Sequence, residues 1–521
     1  MNNPPNTQTL TIWGFVLAFF GAILYFVSKG QFIYAGLIVA AIPGITLARS
    51  PEKWWLAAIF FTNSGLLTPG LGTNLSLSLL ASVGFIVLAL LDRIFHRTDS
   101  AASVPQRFAL ALVILLVCLA SYRGWGLKFL GSSNWGGMQY IQLIIGLLFF
   151  FYSQQVKVEE KGLKRALLFF FWLSFLPVII TFLTQHIPAL GALGSVINIQ
   201  ELSQSDPSQE GVKVHRVGSL HVPAAILGYL TILLYDQKYK ISWAVLGMGG
   251  LSFVLAGLSG HRVAIARVGL MGFIYMLIRW QKIPQAQRMK GMIAGICLLG
   301  AIYIFTQFLP LGFQRSLSVL PGISVSVVAA EDAKGTSDWR IEMWRKMLPM
   351  IPKYLIIGRG VGFDLKEAYG AYILAGDNAT RHEFFIATHS YHNGPLWALI
   401  DLGGTGALLL IGFMVTAIVR YGRRLRRSYS PFMGSAYVVF YAILVSSFFF
   451  FLSVFGYHGD VVKMALTAAI LEVISKQHVV FPARSDRVQS AVSSSGSMSE
   501  CSRRVSSSWK PMKIDSKGYR C

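Results

Sequence analysis

Residues Gly434 to Val454 read GSAYVVFYAILVSSFFFFLSV, twenty-one positions without a single charge. A helix rises about 1.5 Å per residue, so a run of this length can cross a hydrocarbon core about 30 Å thick. Its apolar residues are continuous rather than alternating. In lipid every backbone polar group must be satisfied inside the segment, so the run predicts a spanning helix and not a barrel strand. Similar runs recur, to within a few residues, at 10–28, 31–48, 54–68, 75–91, 107–122, 137–153, 166–185, 217–235, 241–258, 262–279, 290–310, 396–419 and 459–475. The run at 54–68 is short, so about 12–14 transmembrane helices are expected. The fold class is all-α, a polytopic membrane helix bundle with one large external loop containing short helices.

Composition agrees. The 521 residues are 54% hydrophobic and only 13% charged, with a mean hydropathy of +0.56, which excludes an ordinary soluble domain. The formal net charge of +23 invites a nucleic-acid reading. Much of that charge, however, sits in short loops between apolar runs and in the tail, where the positive-inside rule accounts for it, so no nucleic-acid partner is expected. With the N-terminus inside, the inner loops hold clusters such as Lys157, Lys161, Lys164 and Arg165, and Arg420, Arg423, Arg424, Arg426 and Arg427. The outer loops hold far fewer, among them Arg123, Lys128, Arg216 and Arg262. Both termini are therefore expected in the cytoplasm and the long loop outside. Met1–Gln8 is uncharged and leads into an apolar run of spanning length, so no cleavable signal is expected.

Four segments follow from this pattern: N-terminal spans over 1–310, a large loop over 311–395, the last three spans over 396–476, and a tail over 477–521. The tail is serine-rich and basic, and reads as disordered and drawn to anionic lipid. Cys118 and Cys297 lie in apolar runs and Cys501 and Cys521 in the tail. Their spacing suggests neither a disulfide framework nor a metal site, and no cofactor is expected.

The polar residues with chemical potential fall on the outer side. His389-Ser390-Tyr391-His392-Asn393 closes the long loop just before the apolar helix that begins at Leu396. Arg216 opens one span, and His261-Arg262 forms a hairpin between two others. Arginines at a membrane boundary commonly snorkel, but several at one depth on the outer face point to a ligand. Arg340 gives the sharpest argument. From Ser337, a good N-cap, residues 338–351 have helical periodicity, and Arg340 falls within the face carrying Trp339, Met343, Trp344 and Met347. A desolvated, unpaired guanidinium costs several kcal/mol. Arg340 is therefore expected to meet an anion, either a bound phosphate or a carboxylate, chiefly Asp401, Glu472 or one of the acids of the loop. Guanidinium forks suit phosphate oxygens, and a nearby histidine could serve as general base. Gly358-Arg359-Gly360-Val361-Gly362 lacks the lysine-serine of a phosphate loop and reads as a turn that lets backbones approach closely.

Together these patterns resemble the O-antigen ligase and polymerase superfamily of bacterial envelope glycan transferases. The resemblance rests on Arg216-Val217-Gly218-Ser219, Leu258-Ser259-Gly260-His261-Arg262, Asp338-Trp339-Arg340 with Trp344 and the glycines at 358–362, and His392-Asn393 leading to Asp401-Leu402-Gly403-Gly404. His261 departs from the usual small or polar residue at its position. The resemblance implies a metal-independent transfer of a glycan from undecaprenyl pyrophosphate to a lipid or glycan acceptor. This would take place at the periplasmic face of the bacterial inner membrane, among membrane lipids. It also implies that Arg216, Arg262 and Arg340 bind the pyrophosphate and that His392 assists the chemistry, with His389, His261 and Asn393 nearby. Ligase, polymerase and protein oligosaccharyltransferase stay open as activities. A glycan transporter, which would need charges buried mid-span, and a receptor with an external sensing loop are the readings from other classes.

Overall fold

The computed structural model describes residues 50–66, 76–96, 101–125, 137–187, 220–318, 320, 322–362, 381–427, 429–453 and 456–477. The expected spans at 10–28 and 31–48, Arg216 and the tail lie outside these residues. The chain divides into one unit over Met1–His478 and a second over Val479–Cys521, and all that follows concerns the first. Among the described residues the regular structure is helical, with no strand. The order begins α1 Pro51–Phe61, α2 Leu77–His96, α3 Val104–Arg123 and α4 Met138–Tyr152. Next come α5 Glu160–Trp172 and α6 Leu176–His186, joined by one 3₁₀ turn. Then follow α7 His221–Lys238, α8 Trp243–Leu258, α9 Arg262–Arg279 and α10 Gln285–Phe305.

The polar interruption holds α11 Leu311–Leu317, α12 Val327–Met347, α13 Met350–Tyr354 and α14 Arg381–Ala387. A short α15, Gly394–Trp397, passes through a π turn at Ala398–Leu402 into α16, Gly403–Arg424. The last two helices are α17 Pro431–Ser453 and α18 His458–Ile474. Every expected span among the described residues is a helix, and 6 are long and apolar enough to cross a membrane by length and composition. The protein is an all-α polytopic membrane bundle. The weak run at 54–68 gives only α1, which ends at Phe61.

Water exclusion does little to hold helices together in lipid, so packing and internal polar bonds must do it. At one end of the bundle, Arg279 of α9 forks onto Asp236 of α7 at 2.8 and 2.9 Å, and Tyr275 donates to the same carboxylate at 2.8 Å. Glu472 of α18 accepts from Arg420 and Arg424 of α16 at 3.0–3.3 Å. Lys476 donates to the carbonyls of Ser153, Gln154 and Val156 just past the end of α4.

The interrupting segment covers the opposite end. Arg123, the last residue of α3, donates from Nε to the carbonyl of Gly358 at 3.0 Å. Gln139 at the start of α4 reaches the Thr388 carbonyl at 3.5 Å. Arg315 of α11 donates to the Gly260 carbonyl in the α8–α9 hairpin. Gly394, at the start of α15, lies so close to the end of α17 that a Cβ there would stand 2.2 Å from the Phe451 carbonyl oxygen. Helix ends that alternate in chain direction thus meet one polar cap, which shares a unit with the helices beneath it.

One helix start differs from the sequence reading. α12 begins at Val327, where Ser326 Oγ accepts from the Ala329 amide at 3.3 Å, and not at Ser337. Ser337 is a mid-helix residue whose hydroxyl donates back to the Ala333 carbonyl at 3.2 Å. Gly335 in mid-helix costs about 1 kcal/mol relative to alanine. Tertiary bonds offset that cost. Arg315, buried, pairs with Asp332 and donates to Thr336 Oγ1 at 2.9 Å, and Thr336 donates to the Asp332 carbonyl at 2.9 Å. One guanidinium therefore holds α11, α12 and the α8–α9 hairpin together.

Candidate active site

His389-Ser390-Tyr391-His392-Asn393 begins where α14 stops. The Ser390 amide bonds to the Phe385 carbonyl at 2.9 Å and the His389 amide to the Ile386 carbonyl at 3.4 Å. This nested pair is a Schellman C-cap, and it places His389 at the left-handed position that glycine usually fills, with φ 58°. A non-glycine residue there is strained, and its side chain shows what holds it. The buried His389 ring lies with Nδ1 2.9 Å from Asp401 Oδ2 and Nε2 3.2 Å from the Gly362 carbonyl. Both partners are acceptors, so the ring satisfies both only with an N–H on each nitrogen.

Asp401 is fully buried in the π turn and receives a second bond, from Tyr391 Oη to Oδ1 at 2.7 Å. Burial pushes the Tyr391 hydroxyl well above the ordinary tyrosine range, so it stays protonated and donates. Arg359, also buried, donates from Nη1 to Tyr391 Oη at 2.8 Å and to the Ile386 carbonyl at 2.7 Å. The wide turn at Ala398–Leu402 leaves backbone carbonyls for others to use. The Arg359 amide takes that of Ile400 at 2.8 Å, and the Gly360 amide that of Asp401 at 2.9 Å. A Cβ at Gly358 would stand 2.3 Å from the Asp401 carbonyl oxygen, so the glycine is required by close approach of two backbones. The turn reading of residues 358–362 matches this geometry.

His392 is half-buried and also left-handed, with φ 52°. Such strain is kept only where the surroundings over-determine it, and it clusters at functional sites. Its neighbours on both sides are fixed. The Tyr391 carbonyl accepts from Trp344 Nε1 of α12 at 2.9 Å, and Asn393 Oδ1 accepts from the Leu396 amide at 3.0 Å. The helix cap is therefore Asn393, and its carboxamide oxygen is engaged in that role. The His392 ring lies 6.2 Å from Trp339 and 5.4 Å from Phe385, centroid to centroid.

Arg262, the first residue of α9, donates from Nη2 to Ser337 Oγ of α12 at 3.0 Å. Ser337 stands one turn before Arg340, and Trp339 adjoins Arg340. The structure thus brings Arg262, the Arg340 turn of α12 and His392 to one place at the capped end of the bundle. His261 packs its ring 5.3 Å from that of His221 beside Arg262. Two of the carboxylates weighed as partners for Arg340 are bonded to other groups: Asp401 to His389 and Tyr391, and Glu472 to Arg420 and Arg424. Arg315 and His382 escaped the sequence reading and Arg359 was read only as part of a turn, since each bonds to groups far along the chain.

Fold and site define a polytopic membrane protein whose polar segment closes over one end of its helices, where Arg262 bonds to Ser337 of α12 and the Trp339 ring of the same helix lies by the strained His392. Residues 247–411 match the family model described as O-Antigen ligase. The matched span includes Arg262, Arg340, His389 and His392. The match lies over the segment that carries most of the sequence motifs and supports their resemblance to the O-antigen ligase superfamily. A search of curated proteins finds no match.

Proposed function

We propose that the protein transfers a glycan from undecaprenyl pyrophosphate to a lipid or glycan acceptor. The capped end of the bundle would face the periplasm, with the chain in the inner membrane and both termini in the cytoplasm. The observation that carries the reading is the meeting of Arg262, the Arg340 turn and the strained His392. In the reaction, an acceptor hydroxyl oxygen bonds to the anomeric carbon as the bond from that carbon to the pyrophosphate oxygen breaks. The bonding pair leaves with the lipid pyrophosphate, and the hydroxyl proton passes to the His392 imidazole. Negative charge builds on the leaving group. Fixed guanidinium groups of Arg262 and Arg340, with Arg216 implied by its motif, stabilise that charge most in the transition state.

Removing one such donor typically costs 10²–10³ in rate, on the order of 3–4 kcal/mol. The test is glycan profiling of a deletion strain complemented with Arg262→Ala, Arg340→Ala or His392→Ala. Accumulated lipid-linked polymer indicates a ligase, and accumulated single repeat units a polymerase. Normal glycans in all three variants refute the mechanism.

A further inference from the structure

Beside His392 the rings of Trp339 and Phe385 complete a triangle. Trp339 to Phe385 is 5.0 Å at 76°, Phe385 to His392 is 5.4 Å at 44°, and Trp339 to His392 is 6.2 Å at 60°. All three rings are half-buried, whereas packing aromatics of the bundle such as Trp55 and Trp397 are wholly enclosed. Behind Trp339 stands His382 of α14, buried, its ring stacked on the indole at 5.1 Å and 16°. His382 Nε2 is 3.0 Å from the Trp339 carbonyl. A carbonyl can only accept, so Nε2 carries the proton and Nδ1 is left as a lone-pair acceptor. That Nδ1 is buried and makes no hydrogen bond among the described residues. An apolar ring would have packed there without leaving a buried acceptor unsatisfied. Histidine at this position grips Trp339 twice, through its ring and through its backbone.

We infer that Trp339, backed by His382 and flanked by Phe385 and His392, is the platform on which the first sugar ring of the lipid-linked glycan stacks. This rests on the transfer reaction proposed above. If Arg262 and Arg340 hold the pyrophosphate and the reacting carbon faces His392, the sugar bonded to that phosphate must lie within one ring's width of both. Trp339 is next to Arg340 in sequence, two residues from the Ser337 hydroxyl that Arg262 holds, and its ring lies 6.2 Å from that of His392. A pyranose offers a face of C–H groups with partial positive charge, the complement of an aromatic face. Stacking of this kind tolerates differences between sugars, because every pyranose has such a face. Trp344 serves another purpose, since its indole N–H is used on the Tyr391 carbonyl.

The test uses the full chain in lipid nanodiscs and two probes, undecaprenyl pyrophosphate and undecaprenyl pyrophosphate carrying one N-acetylglucosamine. Trp339→Leu should weaken binding of the sugar-bearing lipid about tenfold and leave the sugar-free lipid bound as tightly as by the unaltered protein, which also certifies its fold. Trp339→Tyr should recover most of the loss, and His382→Phe should weaken the sugar-bearing probe alone. Equal weakening of both probes by Trp339→Leu makes the residue structural and overturns the inference, as does no change in either. Arg262→Ala should weaken both probes. If it weakens neither while Trp339→Leu still discriminates, the arginine clamp fails and the platform stands. If the unaltered protein binds neither probe, both proposals fall.

Discussion

Replacing Asp401 tests whether its carboxylate is what fixes the histidine loop. The carboxylate accepts from an imidazole that needs N–H on both nitrogens and from a tyrosine hydroxyl held protonated by burial, at 2.9 and 2.7 Å. Asp401→Ala takes the acceptor away from two buried donors, the His389 ring and the Tyr391 hydroxyl, and each buried donor left unsatisfied costs about 1–3 kcal/mol. Asp401→Asn behaves differently. Its oxygen can still accept from Tyr391, and its amide can donate to His389 Nδ1 once that nitrogen gives up its proton, while Nε2–H stays on the Gly362 carbonyl. Only the charge assistance is lost, about 1–2 kcal/mol. The double variant His389→Leu/Asp401→Leu removes both polar partners together and should recover most of the loss of either single leucine variant. Unfolding in mixed micelles of rising SDS fraction, followed by tryptophan fluorescence, gives the differences. A cost below about 1 kcal/mol for Asp401→Ala, or a His389–Asp401 coupling below about 0.5 kcal/mol in the cycle, would refute the account.

Two further outcomes are expected. Gly358→Ala puts a Cβ 2.3 Å from a backbone carbonyl that belongs to the π turn and cannot swing aside, so it should destabilise the same end of the bundle by about 2 kcal/mol or more, read in the same micelle assay. Burial pulls the Lys476 ammonium from its ordinary 10.5 down to about 8, so the folded state disfavours its charged form. Above pH 10.5 the lysine is neutral folded or unfolded and imposes no penalty, and below pH 8 the penalty is complete. Lys476 is exposed enough for solvent to screen the effect, so stability should rise only modestly between pH 8 and 10.5, and Lys476→Gln should flatten that rise.

Most of the helices were legible because lipid leaves so few options. A continuous apolar run of about 20 residues states its own structure. Charge counting put Arg262, Arg340 and His392 on one side of the membrane, and the structure sets the Arg262–Ser337 bond and the Trp339–His392 ring pair on the same helix, α12. What stayed hidden has physical causes. The true start of α12 was masked by Gly335 and by Ser337, which looks like a cap but sits in mid-helix, where Arg262 bonds to it and Arg315 to the adjacent Thr336. Asp401 was weighed as a partner for Arg340, whereas its partners are His389 and Tyr391. That choice depends on which way a π turn aims a side chain, and no local pattern encodes it. Arg359 looked like part of a turn. Its contact with Tyr391 exists only because residues 358–362 dock on Ile400 and Asp401.

The π turn also sets a phase. An α-helix advances about 100° per residue, and the turn at Ala398–Leu402 accommodates one residue beyond that cadence. It is an angular coupling within a single span, joining the short stretch that carries the Asn393 cap to the long helix that faces α3 and α17. Past the turn the backbone at Gly403 lies at φ 75° and ψ 174°, outside the helical region, so the cap side is set against α16 by a joint of turn and glycine and not by helical cadence alone. A change in length at this joint would carry the Ile400 and Asp401 carbonyls away from the amides of Arg359 and Gly360. The chemistry of this end can therefore change by substitution far more readily than by a change in length.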